Sequence, residues 1–524
     1  MHVDIVVLEF EEGRVERTQA FIVVVAHGCC TSFRRPSEVA FRRSDNERSG
    51  GSASARIESA VARIPDPTRR FRARYASAVG RGGKADGPRG IVIGAGDRGA
   101  GAYVPLLLEN PALGSIVAVA ERDAGRRAAF AARFGLGEDA CFSEAREVLE
   151  KPRFADFVLI ATPDDQHVEP AMAALEAGYH VLLEKPMAVR EADCEGLVAA
   201  SERSGRLLQI CHVLRYAPLY TAVKGILESG EIGEIVTIQH AENVSYWHYA
   251  HSYCRGNWRN REASSPMILA KSCHDLDLLY WWAGAEPVRL TSIERPTELC
   301  EKNAPAEAPG ACIEGCPHEA TCPYDAVSMY RDLTPLLLDL RKKSRLEADD
   351  AQPVDRPRVE GWKDWPVAVM TADASPEGIE RALRETRYGR CVYRIGDNDQ
   401  PSSQHVGIQF ANGVSAGFTM HSTSCREGRT TRIDGTRGTL EAGFFNNEQH
   451  LVVHDHKTGR HRSVALDSVV GLHGGADPRL FRAFLEAVRG GREPGTTARE
   501  SLWSHRLAFA ADRCAREGIV ACWG

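Results

Sequence analysis

An α/β fold in two domains is predicted: a doubly wound parallel sheet, then an α+β domain with a large, mainly antiparallel open sheet. Three observations carry the prediction. The first is Ile91-Val-Ile-Gly94-Ala-Gly96-Asp97-Arg98-Gly99, an apolar strand that runs into a Gly-x-Gly-x-x-Gly turn with a helical pattern behind it. The second is the alternation of strand and helix patterns from Gly90 to Cys211, and the third is the change beyond it to longer β-rich segments.

In chain order, residues 1–88 are rich in Arg, Ser, Gly and Ala and carry few periodic apolar positions after Ala26. They read as a disordered extension whose deletion leaves activity unchanged. Residues 89–211 form the first domain, with strands at 91–93, 116–120, 157–161, 180–184 and 207–211. Helices at 124–134 and 170–177 lie between them, the second capped by Gly178. Residues 212–524 form the second domain, with strands at 235–240, 288–293, 406–410, 415–420 and 451–453. A stretch from about 295 to 394, rich in Pro, Glu, Lys and Cys and with one helical segment near 330–345, exceeds ordinary connection lengths and reads as an insertion.

The glycine turn is a nucleotide-binding signature. Gly94 permits a tight reversal, Gly96 lets the backbone approach a pyrophosphate, and Gly99 lets the next helix pack close to the strand. That helix opens at Asp97 and Arg98 and supplies oriented N–H donors. The second strand ends at Glu121, about where an acid bonds the adenosine ribose hydroxyls. A carboxylate there repels a 2′-phosphate, which favours NAD over NADP, whereas Arg122 beside it is a residue that pairs with that phosphate or stacks on adenine. Thr162, Pro163 and His167 follow the third long strand, where the sheet's carboxyl edge faces ligand.

Composition narrows the partners. A net charge of -6 and a pI near 6.3 give no basic surplus for nucleic acid or an anionic membrane, so a small molecule is the default partner. No apolar run approaches the roughly 18 residues that span a bilayer. Fifteen scattered cysteines fit a reducing compartment, and a cytoplasmic protein is expected.

Ala161-Thr162-Pro163, His167 and Gly178-Tyr-His-Val-Leu-Leu-Glu184-Lys185-Pro186-Met-Ala188 resemble the Gfo/Idh/MocA oxidoreductases, the family of glucose-fructose oxidoreductase and inositol dehydrogenase. The likeness continues through Arg215-Tyr216-x-Pro218, Asn257-Trp258-Arg259, His274-Asp-Leu-Asp277 and His473-Gly-Gly-Ala-Asp477, over about residues 90 to 515. It implies a Rossmann domain that holds the cofactor through residues including Glu184 and Lys185. It also implies a sheet domain that covers the nicotinamide and often forms the face of a homo-oligomer, dimer or tetramer, and hydride transfer at a sugar or polyol carbon. Members of the family carry an Asp one helical turn before the motif histidine; here Ala270 holds that place and Lys271 stands three residues before His274.

Oxidising a secondary alcohol needs a hydride acceptor and a group that takes the hydroxyl proton. His274 is the first candidate for the proton, with Lys185 beside it if the family arrangement holds. The Lys271-x-x-His274 spacing places both side chains on one helix face, and two ammonium groups in one cleft depress each other's pKa, so that one lysine becomes a usable base. The alternative is that Lys271 pairs with a carboxylate such as Asp275 or Asp277. Tyr216, Arg259 and His473 are the substrate candidates. The same parts serve a redox-neutral, NAD-dependent glycosidase that oxidises its sugar transiently, or a non-catalytic ligand-binding Rossmann protein.

Inside the insertion, Cys312-x3-Cys316-Pro-His-x3-Cys322 is dense enough to suggest a structural zinc. Cys391 is the preferred fourth ligand over Cys300 or His318, and a set of free buried thiols is the alternative.

Overall fold

The computed structural model describes residues 3–8, 21–26, 87–333, 365–445, 448–467, 472–490 and 493–524. These fall into two compact units, 1–86 and 87–524. In the first, β1 (Val3–Leu8) pairs antiparallel with β2 (Phe21–Ala26), two strands that the sequence patterns left unassigned. The disorder expected over 1–88 otherwise falls outside the described residues.

The second unit begins with six parallel strands: β3 (Arg89–Ile93), β4 (Ser115–Ala120), β5 (Cys141–Phe142), β6 (Phe157–Ile160), β7 (His180–Leu183) and β8 (Leu208–Ile210). They are near-continuous runs of Val, Ile, Leu and Ala because helices cover both faces, leaving no alternation for the solvent side. Their order is β5-β4-β3-β6-β7-β8, so the chain winds outward from β3 in one direction and then in the other. The crevice where the winding reverses opens above the carboxyl ends of β3 and β6, and the glycine turn leaves β3 there. Only the two-residue β5 was missed by the sequence patterns.

The second sheet has nine strands: β9 (Ile235–Ser245), β10 (Pro287–Arg295), β11 (Ser403–Phe410), β12 (Ser415–Ser424), β13 (Gly428–Gly435), β14 (Gly438–Phe445), β15 (Glu448–Asp455), β16 (His461–Ser463) and β17 (Val520–Cys522). Their order is β16-β15-β14-β13-β9-β12-β11-β10-β17, antiparallel except for the β9–β12 pair. Along β11, buried residues alternate with half-buried or exposed ones, the period of a sheet with one face on the core. On that inner side the helix Ala498–Glu517 packs against β10, the helix Cys273–Ala283 and the first-domain helix Glu191–Ser204, and so ties the two domains together. The segment between β10 and β11 is the expected insertion; Trp365, Tyr388 and Tyr330 from it surround His251.

Candidate active site

The glycine turn owes its shape to crowding from both sides. Gly94 takes a φ of 87° while its N–H donates to the Ala120 carbonyl at 2.8 Å, a left-handed conformation that suits a residue without Cβ. A Cβ on Gly99 would stand 2.0 Å from the Gly94 carbonyl oxygen, whereas one on Gly96 would meet nothing within 4 Å. Gly96 thus faces open space, and the turn fits a dinucleotide whose pyrophosphate approaches the backbone there. Gly99→Ala must displace the turn, so NAD affinity measured by calorimetric titration is expected to fall by about tenfold or more. Unchanged affinity would contradict this reading of the turn.

Glu121 is buried at the end of β4 and its two oxygens serve three donors. Oε2 accepts from the Ala95 N–H at 2.8 Å, and Oε1 from the Asp123 N–H at 2.9 Å and Arg126 at 2.8 Å. Burial opposes ionisation of this carboxyl, but those bonds outweigh it and hold its pKa below the usual range. Arg122 is exposed and reaches Glu144 and Gln166; Asp97 is exposed at the first turn after Gly96. Thr162 and Pro163 line the loop after β6. His167 is buried beneath that loop, one ring nitrogen 2.7 Å from the Pro186 carbonyl and the other 2.9 Å from the Thr162 carbonyl. It staples the loop to the Lys185-Pro186 segment.

Arg98 and Glu184, both expected at the cofactor, are bonded to one another. Arg98 donates to Glu184 Oε1 and to Asp477 Oδ1, each at 2.6 Å, and the Tyr103 hydroxyl also donates to Glu184 Oε1. Oε2 of Glu184 accepts the Lys185 N–H at 3.0 Å, and Asp477 holds His473 Nδ1 at 3.2 Å. Burial works against both carboxylates. Arg98 and Tyr103 nonetheless keep Glu184 below its usual range, and His473 and Arg98 do the same for Asp477. A continuous chain therefore runs from His473 through the glycine turn to the backbone of Lys185.

Lys185 and His274 are brought together. Lys185 Nζ donates to the Ala270 carbonyl at 2.6 Å, in the segment that leads into the helix Cys273–Ala283 carrying His274. His274 is buried, and its ring lies 5.7 Å from His473 and 5.7 Å from His212, centroid to centroid. Burial first, then the Lys185 ammonium and the neighbouring imidazoles, push its pKa well below the ordinary histidine value, so the ring is neutral at physiological pH.

Lys271 departs from expectation. The chain breaks between the short helix Met267–Ala270 and the helix Cys273–Ala283, so Lys271 and His274 do not share one continuous helix face. The ammonium lies 2.9 Å from Glu427 and 3.2 Å from Glu242, and not against Asp275 or Asp277. Burial disfavours the charge, but these two carboxylates outweigh it and raise the Lys271 pKa, so the expected depression by a second lysine is not met. Lys271 is a fixed cation rather than a base.

Around it three carboxylates, Glu242, Asp275 and Glu427, share two permanent cations, Lys271 and Arg429, with His240 and His248 alongside. One carboxyl is left short of positive charge. Burial pushes Glu242 up to about 7, above the roughly 4.3 of an unfolded chain. A raised pKa stabilises the fold below the unfolded value, and that contribution is lost as pH rises through 7. Glu242→Gln is therefore expected to gain on the parent in thermal midpoint as pH increases from about 5 to 8. A constant difference across that range would contradict the assignment.

The remaining candidates lie elsewhere. Arg259 is paired with Asp397 at 2.7 Å, and the Tyr216 hydroxyl meets Gln209 and Thr496; among the described residues no hydrogen bond or ring contact joins either to Lys185 or His274. Of the three substrate candidates only His473 reaches the cluster. The zinc expectation does not fit the cysteines: among the described residues no group of three or more His, Cys, Asp or Glu could hold a metal ion. Cys391 does come within electrostatic reach of Cys312 and Cys322, as expected, while Cys312 Sγ accepts from Arg255 at 3.8 Å.

Sequence reasoning missed Asp477, Glu427, Glu242 and His212. Asp477 had a signal, standing four residues after His473 at the start of a helix. Glu427 had none, since 179 residues separate it from His248, which it bonds.

A parallel sheet with a glycine turn at its switch point, and a lysine and an imidazole held together by the second domain, define a two-domain nucleotide-dependent oxidoreductase. The chain belongs to the Gfo/Idh/MocA family: residues 89–212 match its domain described as oxidoreductase family, NAD-binding Rossmann fold. Residues 224–328 and 388–521 match the C-terminal alpha/beta domain, which leaves most of the insertion outside. The chain is 33% identical to inositol 2-dehydrogenase 1 of Saccharopolyspora erythraea over 203 residues, 38% of this chain and 56% of that protein. It is 31% identical to 1,5-anhydro-D-fructose reductase of Ensifer adhaerens over 182 residues, 34% and 52% respectively. It thus spans about half the length of these curated relatives. The fold matches the crystal structure of the WlbA dehydrogenase from Bordetella pertussis in complex with NADH and UDP-GlcNAcA, with a TM-score of 0.55, 16% identity and coverage of 84% of this chain and 98% of that one. No helix among the described residues is long and apolar enough to cross a membrane.

Proposed function

We propose that the protein is an NAD-dependent dehydrogenase that oxidises a CH–OH carbon of a sugar, inositol or related polyol. The observation that carries this reading is the Lys185 ammonium anchored on the Ala270 carbonyl beside the neutral, buried His274. When bound, the nicotinamide supplies the two-electron acceptor. The Lys185 ammonium steadies the carbinol oxygen as its O–H bond breaks, and His274 takes the proton. His473, fixed by Asp477, borders the same space and is positioned to bond a substrate hydroxyl. Lys271 neutralises Glu427 and Glu242 and takes no part in the proton transfer. The carboxylate of Glu121 supports NAD over NADP, and the sugar- and polyol-acting relatives support the substrate class.

The test is a panel of polyols, glycosides and keto-sugars offered with NAD and with NADP, following reduced cofactor and product together. Stoichiometric NADH with an oxidised polyol or sugar is the expected result. Glycoside cleavage without accumulation of NADH would replace this reading by the redox-neutral one, and binding without turnover would remove catalysis.

A further inference from the structure

An imidazole that serves as a base is ordinarily oriented by a carboxylate on its second nitrogen. His274 has no such partner: its Nδ1 is buried without a hydrogen bond, and among the described residues no carboxylate bonds its ring. Two rings pack against it, His473 and His212; the second stands two residues beyond the first domain's last strand. The His212 and His274 rings meet edge to face, at 74° and 5.7 Å.

His212 is firmly held. Its Nε2 lies 2.9 Å from the Ser504 hydroxyl, and its far side packs on His505 at 5.5 Å. His505 is fixed in turn: the Met187 N–H donates to its Nε2 at 2.7 Å, so its proton sits on Nδ1, facing the Ser501 carbonyl at 2.9 Å. His212 Nδ1, like that of His274, is buried and without a partner. Two neighbouring imidazoles thus each keep one nitrogen without a hydrogen bond.

We propose that His212, anchored by Ser504, is the positioning residue for His274, setting its ring plane and its protonation in the place where a carboxylate would ordinarily do so. This rests on the role given to His274 above. A neutral orienter has a chemical consequence. Unlike a carboxylate it does not stabilise the imidazolium, so His274 remains a weak base that releases its proton readily, which suits a site run in both directions. The groups facing His274 are Lys185, His473 and Arg429 besides His212; those facing His212 are Arg215, Lys185 and Glu184. Burial and the two cations keep His212 itself neutral, and Glu184 alone opposes them.

The test compares His212→Phe, which keeps a flat ring and removes both nitrogens, with His212→Asn and Ser504→Ala. In His212→Phe, kcat for NAD reduction is expected to fall by about 10²-fold, with NAD affinity within twofold of the parent. The acid limb of its kcat profile should move, because the neutral polar ring against His274 is replaced by an apolar one. His212→Asn should recover part of the rate and Ser504→Ala lose about tenfold. Imidazole nitrogen NMR shifts of His274 in the ligand-free protein should change in His212→Phe, a readout that does not depend on the substrate. Unchanged kcat and pH profile, or unchanged His274 shifts, would overturn the proposal; if His212→Phe does not fold, Ser504→Ala decides on the same readouts. Full activity in His274→Phe would instead remove the assigned role of His274 in catalysis.

Discussion

Lys185→Met is expected to lower NAD reduction by about 10³-fold while leaving NAD binding nearly intact. Methionine matches the length of the lysine stem, so the cleft keeps its filling, but no N–H remains to reach the Ala270 carbonyl or a carbinol oxygen. Negative charge then develops on that oxygen without a donor, which is the origin of the rate loss. The glycine turn proposed to hold the cofactor lies between β3 and its following helix, and the Lys185 backbone N–H still bonds Glu184. Turnover should therefore fail without loss of affinity. Steady-state kinetics and calorimetric titration read the two quantities separately; a variant with parental kcat would end the proposed mechanism.

Arg215→Leu should have the largest effect on stability. The guanidinium grips Asp277 through two parallel bonds of 2.7 Å and the Gly495 carbonyl through a third, with side chains only 4% and 1% exposed. Removing the arginine strands a carboxylate in the core, a loss of about 3–5 kcal/mol. The damage reaches the site as well. Arg215 stands three residues beyond His212 and Asp277 three residues beyond His274, so this pair docks the two elements that carry the imidazoles. Arg215→Leu with Asp277→Leu should recover much of the loss, because the uncompensated charge is then gone. Denaturant midpoints of the single and double variants check both statements.

Local patterns carried much of the fold. Each predicted first-domain strand is present, because strands covered on both faces must be apolar throughout and therefore declare themselves residue by residue. In the second domain five strands were legible as β-rich segments, although β13, β14, β16 and β17 were not assigned in advance. Lys185 and His274 were found through family motifs, and the lysine bonds the Ala270 carbonyl in the segment that leads into the His274 helix. Arg259 and Tyr216, chosen for their polar side chains, bond Asp397 and Gln209 instead, since a polar side chain's type does not say which neighbour it will find.

The parallel sheet and the glycine turn at its switch point follow from apolar runs and spacing along the chain, and the lysine after β7 from the family resemblance. Tertiary structure alone decided which charges neutralise which. Lys271 became a fixed cation because Glu242 and Glu427 close on it from β9 and the turn before β13, and Arg98 was bound by an aspartate 379 residues away. Electrostatic energy depends on distance through space and on burial, and neither is written in the order of residues.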